Sequence, residues 1–545
     1  MKIALAQLNY IIGNFEANLQ KMLKAVEEAK KQKADIICFG ELGVCGYPPR
    51  DFLEFNDFIR LSLKSVNKLA EVAEGIAIVV GSPSKNPNIE GKDLHNAAFF
   101  LAERKIKQIV YKALLPTYDV FDEYRYFEPG REFYTIEYNG YNIALTICED
   151  IWNVGNENPL YTICPMDEMI KNKPDFMLNI SASPFSYDQA KTRIQVVKAN
   201  VERYNIPMFY VNHVGSQTEI LFDGGSLAVS ADGNVFDEMP YFEECLRVYD
   251  LEKVIKGGVN KEQTKEKFKL IHDGIVTGIG DYFRKLGLSK AILGLSGGID
   301  SAITASLAVK ALGKENVRGI LMPSEYSTGH SVDDAKSLAE NLGIQYDIIP
   351  IKSVYDIYEA LLNPYFEGKA FDVTEENIQA RIRGMIVMAL SNKFGYILLN
   401  TTNKSEFAVG YGTLYGDLCG GLSVLGDVYK TEIYELATFI NKEEEIIPHN
   451  TISKPPSAEL RPGQKDSDSL PPYNILDPIL FQYIEKRQGP LEIIAMGYEE
   501  ALVRRILKMV NINEFKRHQS APVIRVSNKA FGVGRRIPIV GKYLS

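Results

Sequence analysis

Hydrophobic and polar positions along this chain switch between two rhythms. Residues 3–8 and 35–39 are short apolar runs, and between them Leu19, Leu23 and Val26 fall on one face of a helix spanning 16–33. Short strands are expected to continue at 76–81 and 97–101. The stretch TIEYNGYNIALTICED reads as a hairpin, because Asn139-Gly140 suits a two-residue type I′ turn between alternating strands. Its second strand ends at Cys148. Further strands are expected at 176–180, 208–211 and 227–230.

The rhythm changes near residues 250–265, where DLEKVIKGGVNKEQTK is polar and contains adjacent glycines. A boundary here gives domains 1–256 and 257–545. Beyond it Ile271, Ile275, Ile279, Tyr282 and Leu286 recur at helical spacing. Strands at 291–295, 317–322 and 346–351 then alternate with helices, and Gly313 and Gly343 stand where helix C-caps belong. That alternation predicts an α/β domain with a doubly wound parallel sheet, whose ligands lie beyond the carboxyl ends of the strands. Residues 453–475 carry five prolines and alternating charges. They read either as a long loop over a site or as a disordered surface insertion.

Composition narrows the function classes. With 46% hydrophobic and 24% charged residues over 545 positions, the chain can bury two large cores without disulfides or metals. A net charge of -9 counts against nucleic acid as the main partner. Six cysteines without a C-x-x-C pair count against a zinc ribbon or disulfide framework and point to a reducing, cytoplasmic setting. The N-terminal run is interrupted by Gln7 and Asn9, so it reads as a strand and not a signal peptide. No run approaches the ~18 apolar residues of a membrane span.

The chemistry of the second half starts at GLSGGIDS, residues 294–301, between a predicted strand and a predicted helix. Adjacent glycines let the backbone turn its N–H groups towards a phosphate, and the following helix N-terminus adds favourable partial charge. No Gly-Lys pair in the chain is followed by Ser or Thr, so this is not a P-loop. Release of pyrophosphate, rather than transfer of the terminal phosphate, is the chemistry that suits it. Asp300 would require a bridging cation such as Mg²⁺. The bland alternative is a Gly-rich turn with an Asp-Ser cap.

At full length the loop resembles that of the ATP pyrophosphatase superfamily, whose members adenylate a substrate and discharge AMP. ENIQARIRGMIVMALSN (376–392), NTTNKSEFAVGYGTLYGDLCGG (400–421), GDVYKTEIYEL (426–436) and KPPSAELRPGQKDSDSLPPY (454–473) resemble NAD synthetases. The resemblance implies an ATP site at Gly294, Ser296, Gly297, Gly298, Asp300, Ser301, Thr401 and Lys430. It implies that Asp300 and Glu406 hold Mg²⁺, and that Asn377, Arg381, Glu406 and Lys516 face the dinucleotide. Independently of it, Gln379, Arg381 and Arg383 alternate along one predicted helix, and Arg suits a phosphate or carboxylate; the alternative is a solvated helix face.

In the first half FGELGVCGYPPRDFL (39–53), YKALLPTYDVFDEYRYFEPG (111–130) and ICEDIW (147–152) each set a potentially reactive residue at or just beyond a strand end. Together they resemble the nitrilase superfamily of carbon-nitrogen hydrolases. Its α-β-β-α sandwich is thereby implied, with Glu41 as general base, Lys112 as oxyanion partner and Cys148 as nucleophile. Amide hydrolysis through a thioester uses these types: Lys⁺ favours a thiolate, and a carboxylate carries the proton to ammonia. Alone, Cys148 would read as a small buried hydrophobe. The resemblance extends to fused glutaminase domains, implying a glutamine pocket at Tyr118, Glu149 and Ser183, with Lys191 or Arg193 near the charged end. Here the sequence departs from the pattern, with two extra residues between Ser183 and Lys191. Glu123 either positions the triad or pairs with Arg125 or Arg131.

Along almost its whole length, then, the chain resembles the glutamine-dependent NAD synthetase family. The resemblance implies conversion of nicotinate adenine dinucleotide, ATP and glutamine to NAD, AMP, pyrophosphate and glutamate, with NAD as product. It also implies a homo-oligomer and a protected route for ammonia; neither nucleic acid nor membrane is expected as a partner, from the charge and the lack of a long apolar run. Two other readings are another glutamine-fed ligase on the same loop, and a nucleotide or glutamine sensor without catalysis.

Overall fold

Alternation along the first strand sets the plan of the N-terminal half. Ile3 and Leu5 of Lys2–Gln7 enter one core, while Ala4 and Ala6 enter another on the opposite face. In this computed structural model, which describes residues 1–154 and 160–544, the chain divides into two compact units, Met1–Lys265 and Glu266–Ser545. The stretch expected to hold the domain boundary runs along the first unit. Lys261 N donates to Val235 O, and Gln263 N and Lys265 Nζ both donate to Glu238.

The first unit is built on two six-stranded sheets. One runs in space Cys245–Asp250, Lys2–Gln7, Ile36–Phe39, Ala77–Lys85, Leu94–Ala102, Lys105–Tyr111; the other runs Val235–Glu238, Leu227–Val229, Met208–Val211, Phe176–Ile180, Tyr141–Ile147, Ile136–Tyr138. Ile36, Val79 and Phe100 of the first sheet pack against Leu145, Leu178 and Phe209 of the second. Helices Phe15–Lys31 and Asn56–Glu71 cover the outer face of the first sheet through Met22, Val26, Val66 and Leu69. Helix Gln189–Tyr204 covers the second through Ile194, Val197 and Val201. The result is the α-β-β-α sandwich implied by the motifs. The hairpin turn has both central residues at positive φ, Asn139 at 49° and Gly140 at 78°, as a type I′ turn requires.

In the second unit five parallel strands run in space Gln345–Ile348, Val317–Leu321, Ala291–Gly294, Ile397–Asn400, Leu422–Ser423. The order reverses on either side of Ala291–Gly294, so the loop after it opens into the crevice where doubly wound sheets bind ligands. A helical layer with Leu476, Ile479, Val503, Ile506 and Val510 at its core completes the unit. Among the described residues, no helix is long and apolar enough to cross a membrane.

One buried ion pair ties the first unit's outer helix to a neighbouring hairpin. Arg193 Nη1 and Nη2 each donate to one oxygen of Asp223 at 2.9 Å, and both side chains are buried. Arg193→Met would strand the Asp223 carboxylate, and removing one partner of such a pair costs about 3–5 kcal/mol. Trp152, the chain's only tryptophan, lies in this unit beside the same helical core. Its fluorescence in urea should show the variant's midpoint falling well below that of the unchanged chain. Coincident midpoints would mean that the pair does not hold the hairpin.

Candidate active sites

The N-terminal unit gathers Glu41, Lys112 and Cys148 from three segments that each follow a strand of the sandwich. Glu41 follows Ile36–Phe39, Lys112 follows Lys105–Tyr111, and Cys148 follows Tyr141–Ile147. All three are buried. Cys148 sits at φ 44°, a conformation costly for a residue with a Cβ, where the strand breaks into a short 3-10 turn. Asp150 fixes that turn by accepting from Ala113 N, Leu114 N and Ile147 N at 2.9–3.0 Å.

Lys112 is shared between two carboxylates. Its Nζ donates to Glu41 Oε1 at 2.6 Å and to Glu123 Oε1 at 2.8 Å. Burial alone would drive the ammonium neutral, but the charges of Glu123 and Glu41 overcome it and hold its pKa well above the ordinary value. Glu123 is therefore a member of the site. Arg125 faces Asp51 and Glu54 instead, and Arg131 faces Glu128. Burial pushes Glu123 up to about 7, against the pull of Lys112.

With two carboxylates on one ammonium, the cluster carries a net negative charge beside the sulfur. Burial first, then Glu41, push the Cys148 thiol well above its ordinary range, and Lys112 offsets only part of this. Lys112 thus acts in the expected direction, favouring the thiolate, but burial and the carboxylates outweigh it, so a thiol in this place calls for a base to take its proton.

Tyr118 and Tyr161 both donate to Glu149 Oε1, at 2.8 and 3.1 Å. Burial raises the Glu149 carboxyl, and the positive charge of Lys112 and the two phenols oppose this. Ser183 is buried, with its backbone N–H donating to Asn212 Oδ1 at 2.8 Å. Lys191 is exposed near the start of helix Gln189–Tyr204, and Arg193 is committed to Asp223.

The C-terminal unit holds a cavity of about 340 Å³ at the carboxyl ends of its strands. Gly294, Ser296, Gly298, Asp300, Ser301, Thr401, Glu406 and Lys430 line it. Gly297 lies behind the lining at φ 77°, where a Cβ would meet Ser331 O at 2.2 Å, so the loop can bend here only with glycine. Ser296 Oγ accepts from Gly298 N at 3.1 Å, and helix Ile299–Leu312 starts immediately after. Asn377, Arg381 and Lys516 lie outside the cavity lining and meet the adjoining segment 410–417. Thr413 Oγ1 donates to Asn377, Arg381 Nε donates to Leu414 O, and Lys516 Nζ donates to Gly410 O and Gly412 O.

Asp300 and Glu406 converge on one ammonium: Lys430 Nζ lies 2.5 Å from Asp300 Oδ2 and 3.7 Å from Glu406 Oε1. Asn403 Nδ2 donates to Asp300 Oδ1 at 2.9 Å. Burial and the charge of Asp300 push Glu406 up to about 8. Two hard oxygen donors meeting a cation in a phosphate-sized cavity fit Mg²⁺, which takes one or two carboxylates and completes its shell with water and phosphate. Among the described residues, no group of three or more His, Cys, Asp or Glu forms a protein-only metal site. Helix Lys404–Val409, which carries Glu406, is anchored by Lys404, whose buried Nζ meets Asp427 and Glu485, each at 2.8 Å.

Residues 454–466 form a strap along this cavity, and the disordered alternative does not hold for them. Glu459 accepts from Ser331 Oγ at 2.7 Å and Thr328 Oγ1 at 3.0 Å, Leu460 O accepts from Gln379, and Asp466 accepts from Tyr473 and Tyr411. Sequence reasoning singled out neither Tyr161, Asp466, Lys404 nor Glu459. Each has a partner between 12 and 131 positions away, so no local pattern marks the arrangement.

Residues 2–256 match the carbon-nitrogen hydrolase family, and residues 271–520 match NAD synthase. The chain is 45% identical over 548 residues to the glutamine-dependent NAD(+) synthetase of Synechocystis, covering 98% of each chain. It is 39% identical to that of Thermotoga maritima, covering 100% of this chain and 99% of the other. Among solved structures, glutamine-dependent NAD+ synthetase from Acinetobacter baumannii in complex with adenosine diphosphate matches with TM-score 0.79 at 38% identity, over 99% of this chain and 98% of that one. The Cytophaga hutchinsonii enzyme, at 22% identity and TM-score 0.84, shares the fold, with 99% and 98% covered.

A thiol pushed above its ordinary range has a measurable signature. The rate at which iodoacetamide alkylates Cys148, read by peptide mass spectrometry, should keep rising from about pH 7 to 10, past the ordinary thiol value of about 8.5. A plateau below pH 8 would instead mean that Lys112 holds a thiolate.

Proposed function

This chain belongs to the glutamine-dependent NAD(+) synthetases, and from that premise we propose how its residues divide the reaction. The N-terminal unit hydrolyses glutamine. Glu41 takes the Cys148 proton as sulfur attacks the amide carbon, and Lys112 faces the developing oxyanion. Collapse breaks the C–N bond, the proton carried by Glu41 leaves with ammonia, and water then opens the thioester to glutamate. Tyr118, Glu149 and Ser183 line the glutamine pocket, with Lys191 as the basic contact. What supports this assignment is the buried contact of Lys112 with Glu41 beside a strained Cys148.

In the C-terminal unit the carboxylate of nicotinate adenine dinucleotide attacks the α-phosphorus of ATP and pyrophosphate leaves. Ammonia then attacks the acyl-adenylate, giving NAD and AMP. The loop from Gly294 to Ser301, with Thr401 and Lys430, binds ATP; Asn377, Arg381, Glu406 and Lys516 face the dinucleotide. Asp300 and Glu406 would hold Mg²⁺, which supplies charge neutralisation for the departing pyrophosphate. Lys430, already in contact with both acids, brings a further positive charge to the same place.

We propose in addition that the protein is a homo-oligomer. Helix Lys352–Leu362 presents Val354, Ile357, Tyr358 and Leu361 at spacings of one helical face, and Ile357 and Leu361 are 67% and 62% exposed. Such a stripe favours burial against a second copy.

Purified protein with Mg²⁺-ATP, nicotinate adenine dinucleotide and amide-labelled glutamine should form labelled NAD and AMP in equal amounts. Cys148→Ala should abolish glutamine use and retain activity with ammonium salts, whereas Asp300→Ala should stop pyrophosphate release with either nitrogen source. AMP formation without NAD, or loss of both activities in Cys148→Ala, would count against the two-site reading. For the assembly, sedimentation should show a multimer that Ile357→Glu with Leu361→Glu dissociates. A monomeric unchanged protein would remove that proposal.

A further inference from the structure

Asn96 stands on strand Leu94–Ala102, fully buried, and its amide nitrogen reaches both carboxylates of the glutamine-hydrolysing site. Nδ2 donates to Glu41 Oε1 at 2.7 Å and to Glu123 Oε2 at 3.2 Å. The backbone of Asn96 belongs to the same structure, since Lys112 N donates to Asn96 O at 2.9 Å. Its other side-chain atom, Oδ1, is buried with no hydrogen-bond partner. A flipped amide would set that oxygen against two carboxylates, so the orientation is fixed by the site it serves, at the cost of an unpaired acceptor.

The oxygens of Glu41 are thereby made unequal. Oε1 receives both Lys112 Nζ and Asn96 Nδ2, whereas Oε2 receives a single backbone donor, Ala182 N at 3.0 Å. A carboxylate oxygen has two lone pairs, so Oε2 keeps one open. His213 holds the same residue from behind, its Nε2 2.7 Å from Glu41 O. On Glu123, Oε1 takes Lys112 Nζ and Tyr47 OH at 2.8 Å each, and Oε2 takes Asn96.

We propose that Asn96 is a positioning residue for glutamine hydrolysis: by giving one N–H to each carboxylate it holds both in place and leaves Glu41 Oε2 as the oxygen that receives the Cys148 proton. The inference rests on the assignment of Glu41 as base and Cys148 as nucleophile. The titratable and charged groups facing the pair are Lys112, Tyr47, Cys148, Glu149, Tyr161 and, at the backbone of Glu41, His213. Lys112 is the cation that touches both carboxylates, and Asn96 is the neutral side chain that likewise donates to both.

The test uses the full-length protein and the pH profile of glutamine hydrolysis. Asn96→Leu, close in volume, removes one donor from each carboxylate. Protonated forms are then favoured, so the acid limb of the kcat/KM profile should move to higher pH by about one unit. kcat should fall roughly 10- to 100-fold, the range spanned by a mispositioned base, while KM for glutamine changes little. Asn96→Ser, which keeps one hydroxyl donor, should lie between the two and carries the test if the leucine variant does not fold. NAD formation from ammonium salts reports the other unit and should persist. An acid limb that stays in place, with or without a slower rate, would reduce Asn96 to a packing residue. Glu41→Gln and Cys148→Ala run alongside: if either still hydrolyses glutamine, the underlying assignment fails and not the role of Asn96.

Discussion

Lys112, an ammonium with no access to water, is the constraint around which the N-terminal site is arranged. A buried cation is tolerated only when paired and hydrogen-bonded, and here Glu41 and Glu123 are both within 2.8 Å. Meeting that demand takes residues from segments 71 and 11 positions away. The sandwich brings these segments to one end of its strands. The same arrangement bears on Cys148: with two carboxylates on one ammonium, Lys112 offsets only part of what burial and Glu41 do to the thiol, which is pushed well above its ordinary range.

The C-terminal unit solves the opposite problem. Its cavity has to receive a polyanion, yet two acids, Asp300 and Glu406, point into it together with Lys430. Carboxylates repel phosphate unless a cation stands between them, so the acids make electrostatic sense as holders of Mg²⁺. The loop itself contributes backbone geometry. Gly297 lets it turn against Ser331, and Ser296 caps the bend before the helix begins.

Much of this was legible in the sequence because it is local. The strand rhythm around Ile3 and Leu5, the Asn139-Gly140 turn, the glycine pair at 297 and 298 and the strand-end placement of Cys148 are all readable within a dozen residues. Strand Lys105–Tyr111 was overlooked because its alternation is carried by lysines and one face is solvated. The hairpin from Val214 to Asp223 and the strands from Val235 to Asp250 went unread as well, being short and set among turns. Of the residues named from motifs, several line the C-terminal cavity, and Glu41 and Lys112 meet in the N-terminal unit. Those supporting them, such as Asn96, Lys404 and Glu459, owe their place to partners distant in sequence. Lys191 and Arg193 show the limit of spacing arguments: two positions apart on a helix, one is exposed and the other is fully enclosed.

The strap along the C-terminal cavity has a consequence for how such a protein changes over generations. Its ties are polar and individually modest, about 0.5–1.5 kcal/mol each, and run to Ser331 in the cavity wall, to Thr328 and Gln379, and to Tyr473 on the neighbouring helical core. Losing any one of them is a small change against the stability of a whole domain. Inheritance can therefore exchange residues along this segment one at a time, each step leaving the remaining ties in place.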